Sequence, residues 1–99
     1  MESVKKYRKL IQFAINAPVQ KRISLLKSFN QNIIKTICEI FLNILNKIIE
    51  TPPHISRQLK RYKRILYLLV NSKVPLSKKK EALIRNKGRV LLYIKNIIP

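Results

Sequence analysis

Residues 30–50 read NQNIIKTICEIFLNILNKIIE. Wound as a helix, Ile33, Ile34, Ile37, Cys38, Ile40, Phe41, Leu42, Ile44, Leu45, Ile48 and Ile49 cover slightly more than half of its circumference. A face that wide must be covered by several neighbours at once, so the stretch predicts a central helix over about 31–50, with Asn30 as its N-cap. The isoleucines lower helix propensity, but the period and the length of the segment outweigh that. Lys35, Glu39, Asn43, Asn46 and Lys47 interrupt the stretch, whereas a membrane-spanning helix needs roughly 20 nearly unbroken apolar residues.

Working outward, the five prolines fall where helices begin or stop: Pro18, the Pro52-Pro53 pair, Pro75 and Pro99. Before Pro18, residues Val4, Tyr7, Leu10, Ile11, Ala14 and Ile15 share one side of an amphipathic helix, with Phe13 on the wrong side. Pro18 suits the first turn of a second helix along Val19, Ile23, Leu26 and Phe29. Thr51-Pro52-Pro53 predicts an extended break, after which Ser56 caps a fourth helix to about Asn71. There Leu59, Tyr62, Leu66, Leu69 and Val70 face one way and Arg57, Lys60, Arg61 and Arg64 the other. Ser77 is expected to cap a last short helix through Lys87, ended by Gly88 in the left-handed C′ position. Val90 to Ile94 suits either helix or strand, and helix is preferred. The expected fold is all-α, one domain over residues 1–99, a compact bundle of four to five short helices around the central apolar one.

The charge is lopsided. The chain of 99 residues carries 22 Lys and Arg against four acids, a net charge of +18, yet 46% of its residues are hydrophobic. That apolar content separates it from disordered basic tails, which bury nothing. Residues 57–89 hold twelve cations (Arg57, Lys60, Arg61, Lys63, Arg64, Lys73, Lys78, Lys79, Lys80, Arg85, Lys87 and Arg89) and one acid, Glu81. An ordinary solvated face mixes signs; this one matches a polyanion, whose counterions are released as phosphates are neutralised. Lys78-Lys79-Lys80 stands in a helical first turn, against the dipole, a cost of some tenths of a kcal/mol per charge that an outside anion would relieve.

Other chemistry is thinly supplied. Cys38 is the single cysteine and lies in the central apolar arc, as a small core residue, so no disulfide can form within the chain. His54, the one histidine, reads as solvated linker and has no companions for a metal site. The acids Glu2, Glu39, Glu50 and Glu81 are scattered, with no Ser/His/Asp set and no glycine-rich phosphate loop. Catalysis, a metal and a cofactor are not expected. Tyr62 and Tyr67 interleave with the cations of the fourth helix; Tyr62 reads as core, while Tyr67 suits core packing or base stacking equally.

Several of these segments also carry a resemblance. Pro18-Val19-Gln20-Lys21-Arg22 with Leu25-Leu26, then Ile37-Cys38-Glu39 and Asn43-Ile44-Leu45, then Leu59-Lys60-Arg61-Tyr62-Lys63-Arg64, and Val74-Pro75-Leu76-Ser77-Lys78-Lys79-Lys80 follow one another in order. Over residues 18–88 this resembles a family of small basic helical proteins of Polinton/Maverick elements and adintovirus-like DNA viruses. The family usually has a histidine where Tyr62 stands. After Gly88 it has a second glycine and a phenylalanine-leucine-proline stretch, where this chain has Arg89-Val90-Leu91-Leu92. The resemblance implies a viral or transposon setting, with DNA packaged in a virion.

The expected function is sequence-independent DNA binding through Arg57, Lys60, Arg61, Lys63, Arg64, Lys78, Lys79, Lys80, Arg85, Lys87 and Arg89. Double-stranded DNA is the first partner expected, and self-association is left open. Cationic amphipathic helices also bind anionic bilayers, and a basic face can meet an acidic protein. A cationic membrane-active protein is therefore the main alternative, decided by whether the apolar faces bury one another. With Lys5, Lys6, Arg8 and Lys9 among the first ten residues, no apolar signal core is seen and a soluble intracellular protein is expected; the resemblance implies the host nucleus or virion as its location.

Overall fold

A computed structural model describes residues 2–46 and 52–95, all-helical with no strand among them. Helices α1 (Glu2–Asn16), α2 (Val19–Ser28) and α3 (Gln31–Leu45) are followed by α4 (Pro53–Leu59), a 3₁₀ turn (Lys60–Tyr62), α5 (Lys63–Val70), α6 (Leu76–Arg85) and a second 3₁₀ segment (Arg89–Ile94). That is six α-helices among the described residues, more than the four or five expected, because the fourth is divided. The extension of α3 through Ile48 and Ile49, the Thr51 break and Pro99 lie outside the described residues.

Helix α3 is the centre, packed against α1, α5 and α6. Asn30 Oδ1 accepts from the Ile33 amide at 3.0 Å, supplying one of the partners that a helix start lacks. Ile33, Ile34, Ile37, Cys38, Ile40, Phe41 and Ile44 are buried, while Leu42 at the margin of the arc and Leu45 at the last residue of the helix are exposed. Thr36 is also buried, and its hydroxyl donates to the Asn32 carbonyl at 2.8 Å. From α1 come Ile11, Ala14 and Ile15, with Phe13 exposed as its position predicts and Leu10 exposed against expectation.

Pro18 precedes α2 as its N-cap rather than entering the first turn. Along α2 the expected apolar line is only half realised: Leu26 and Phe29 are buried, Val19 is exposed, and Arg22 takes an inward position at 4% exposure.

The expected continuous helix from Ser56 to Asn71 begins earlier and breaks in the middle. Pro53 opens α4, where its fixed φ and absent N–H do no harm, and the Pro52 carbonyl accepts from the Ile55 and Ser56 amides at 3.0 and 3.1 Å. Ser56 is therefore inside the helix, and His54 stands exposed in its first turn rather than in a linker. At Tyr62 the backbone leaves helical geometry (φ −106°, ψ 23°). The Tyr62 ring packs on that of Tyr93, with centroids 5.3 Å apart. The Tyr93 hydroxyl donates to that of Tyr62 at 3.5 Å, a weak bond at that length. The break thus serves a contact with a residue 31 positions away, which no local periodicity encodes. Leu59, Leu66 and Leu69 still reach the core.

Pro75, not Ser77, starts α6: its carbonyl accepts from the Lys78 and Lys79 amides at 3.0 and 3.2 Å. The helix ends at Arg85, two residues before the expected limit. Lys87 occupies the left-handed C′ position at φ 59° and Gly88 follows at φ 68°. Gly88 N–H bonds the Leu83 carbonyl at 3.0 Å and Lys87 N–H the Ile84 carbonyl at 2.9 Å, the paired bonds of a Schellman ending. The chain then turns inward, and Val90, Leu91 and Ile94 are fully buried while Leu92 stays exposed.

Candidate nucleic-acid interface

Five of the expected binding residues form one uninterrupted group. Arg57 in α4, Lys60 and Arg61 in the 3₁₀ turn, and Lys63 and Arg64 in α5 are all exposed. No acid occurs between residues 52 and 80, so nothing along this segment neutralises them. The same elements direct Leu59, Leu66 and Leu69 into the protein. Apolar burial, at roughly 25 cal/mol per Å², fixes which side faces out. Tyr67 continues the exposed side and is 59% exposed, with the Lys63 ammonium 5.8 Å from its ring centroid.

The second group, on α6 and after it, is divided. Lys78 is exposed and 3.9 Å from Glu81 Oε2, while exposed Arg85 donates to Glu81 Oε1 at 3.0 Å. Surface pairs of this kind contribute little, and both cations still present charge to solvent. Lys79 is different. It turns inward at 8% exposure, close enough to Cys38 to lower that thiol's pKa, so it leaves the exposed track to which the sequence assigned it. Burial dominates at Cys38 and pushes its thiol from 9.0 up to about 11. Lys80 is half-buried and donates to the Phe29 carbonyl at 2.8 Å. Phe29 caps the C-terminus of α2, where the helix dipole is negative, so this ammonium meets an internal partner. Because α6 starts at Leu76, Lys80 lies past its first turn, and of the three lysines expected there only Lys78 is left facing outward.

Lys87 and Arg89 are exposed on either side of Gly88. They flank a contact that sequence reading missed: the Arg22 guanidinium donates from Nε to the Lys87 carbonyl at 2.8 Å and from Nη1 to the Ala17 carbonyl at 3.3 Å. Arg22 thereby ties the α1–α2 junction to the end of α6. Its spacing from Leu26 and Phe29, four then three residues, was the available signal. It was hidden by the convention that arginine faces water.

A shallow groove of about 400 Å³ lies between the start of α3 and the start of α6, lined by Phe29, Asn30, Ile34, Leu76, Ser77 and Lys80. Among the described residues no three His, Cys, Asp or Glu side chains are grouped so as to hold a metal ion. No helix among them is long and apolar enough to cross a membrane.

No family model, curated protein or solved structure matches this chain. Charge, exposure and packing therefore carry the functional reading.

Proposed function

We propose that the protein binds nucleic acid through the phosphate backbone, double-stranded DNA first, with Arg57, Lys60, Arg61, Lys63 and Arg64 as the principal grip. The observation that carries this reading is the pairing of two facts in one segment. All five cations are exposed, and Leu59, Leu66 and Leu69, which line the other side of the segment, are buried in the core. Lys78, Arg85, Lys87 and Arg89 extend the positive surface; Lys79 and Lys80 serve structure instead. Phosphate contacts position a protein without reading sequence, so binding is expected to be indifferent to base order. Packaging of viral or transposon DNA in a virion is the setting implied by the family resemblance over residues 18–88.

The test is a gel shift on unrelated duplexes across a salt series. The logarithm of affinity is expected to fall with the logarithm of salt by about 0.9 for each phosphate contacted, equally for every sequence. The triple variant Lys60→Ala, Arg61→Ala, Arg64→Ala should retain its fold and flatten that slope. Affinity independent of salt would overturn the reading.

A second reading, adsorption to anionic bilayers, draws on α1. There Leu10 and Phe13 are exposed and the Lys21 ammonium lies 5.0 Å from the Phe13 ring centroid. Dye release from anionic vesicles by a protein with negligible DNA affinity would favour it.

A further inference from the structure

Among the described residues, Tyr67 is the most exposed of the large hydrophobic side chains, at 59%. Successive side chains of a helix turn through a little over a quarter of a circle. On α5 the buried Leu66 and Leu69 define the inward direction, and Arg64 stands opposite them, flanked by Tyr67 on the side of Lys63 and by half-buried Leu68 on the other. The ring therefore stands on the outward half of the helix, between Lys63 and Arg64. Its ring leaves apolar area uncovered in the middle of a charged surface. Core packing, the alternative use left open by the sequence, is removed by its exposure. Lys63 holds its ammonium 5.8 Å from the ring centroid. At that separation cation and ring attract each other, so ring and charge form one surface.

A duplex offers phosphates to such a surface but keeps its bases stacked on one another. A single strand offers both phosphates and unpaired bases, and every base has a face on which an aromatic ring can stack. We infer that Tyr67 is a stacking platform for an unpaired base, with Lys63 and Arg64 holding the adjoining phosphates, so that this face takes single-stranded nucleic acid as well as duplex. The inference rests on the phosphate-binding reading above and adds a substrate class to it. Because stacking is insensitive to base identity, the preference is for unpaired structure rather than for sequence.

The experiment measures affinity at one moderate salt concentration for three probes: an oligothymidine, a duplex of similar charge, and an abasic strand of the oligothymidine's length. Wild type, Tyr67→Ala, Tyr67→Phe and Phe13→Ala are compared, Phe13 being the exposed aromatic outside the basic segment. Tyr67→Ala is expected to lower oligothymidine affinity by about 5- to 150-fold, the range for loss of one stacked base, and to leave duplex affinity nearly unchanged. Tyr67→Phe keeps the ring and should behave as wild type, as should Phe13→Ala. The abasic strand, with its charges and no bases, should bind wild type as weakly as the oligothymidine binds Tyr67→Ala. Duplex binding with no Tyr67 effect on the oligothymidine would overturn this inference and leave the phosphate reading standing, and so would loss of affinity in Tyr67→Phe. Failure of the wild type to bind any probe, both at this salt and in a repeat at low salt, would overturn the phosphate reading itself.

Discussion

Arg22 and Gly88 depend on each other. The guanidinium reaches the Lys87 carbonyl at 2.8 Å only by passing beside Gly88, where a Cβ would stand 2.8 Å from Arg22 Cδ. Gly88 also adopts φ 68°, a conformation that L side chains enter at a cost. Gly88→Ala is expected to lower unfolding free energy by about 1–3 kcal/mol, measured by urea denaturation. In an Arg22→Ala background the steric part should vanish and the backbone part remain, so the two substitutions will not add. Cys38 supplies a second residue-level prediction. Its folded pKa, about 11, lies above the 9.0 of the unfolded thiol. Between those values the unfolded chain has released the proton and the folded one has not, so stability is fully present below pH 9 and falls as pH rises through 11. The slope is about 1.4 kcal/mol per pH unit. Comparing wild type with Cys38→Ala in denaturant titrations from pH 8 to 11 isolates it, and parallel curves would refute the assignment.

Among elements, the division of labour within α6 is the informative case. A run of three lysines looks uniform in sequence, but a helix aims successive side chains in different directions, so at most part of the run can share one surface. Here Lys78 faces solvent, Lys79 turns inward and is buried, and Lys80 closes the end of α2. Lys80→Met is therefore expected to lower the melting temperature, by loss of a charge-assisted hydrogen bond of about 1.5–3 kcal/mol at most, with little change in DNA affinity. Lys79→Met should likewise leave affinity nearly unchanged. The Lys60/Arg61/Arg64 triple variant should show the reverse, weaker binding with no loss of melting temperature, since removing three cations relieves self-repulsion. Equal loss of affinity from both kinds of variant would contradict the assignment of these lysines. The 3₁₀ turn at 60–62 belongs to this scale too: the segment stays helical and amphipathic, as its pattern says, but is broken so that Tyr62 can meet Tyr93.

Across the whole molecule, a charge of +18 is held within extents of 31 × 29 × 27 Å. Self-repulsion at that density opposes compactness, and salt screens it over a Debye length of about 10 Å at roughly 0.1 M. Raising salt should thus stabilise the free protein while weakening its complex with DNA. Thermal unfolding with and without duplex, at low and at several-fold higher salt, reads both trends at once. Duplex at about 100 times Kd should add about 2.7 kcal/mol at low salt, an increment that shrinks as salt rises. Destabilisation of the free protein by salt would show that self-repulsion is not the dominant whole-molecule term.

The sequence by itself determined the helical class, the central helix with its Asn30 cap, the amphipathic α1, and the basic side of residues 57–64. Each is a local property, carried by period, capping chemistry or charge. Only the tertiary structure decided which cations are available. Arg22 and Lys79 are buried because neighbouring elements surround them, and Lys80 is occupied because α2 ends a hydrogen bond away. The same packing left Tyr67 outside, where its local pattern allowed either place. A side chain's exposure is settled by what the rest of the chain brings against it, and periodicity along one segment does not contain that information.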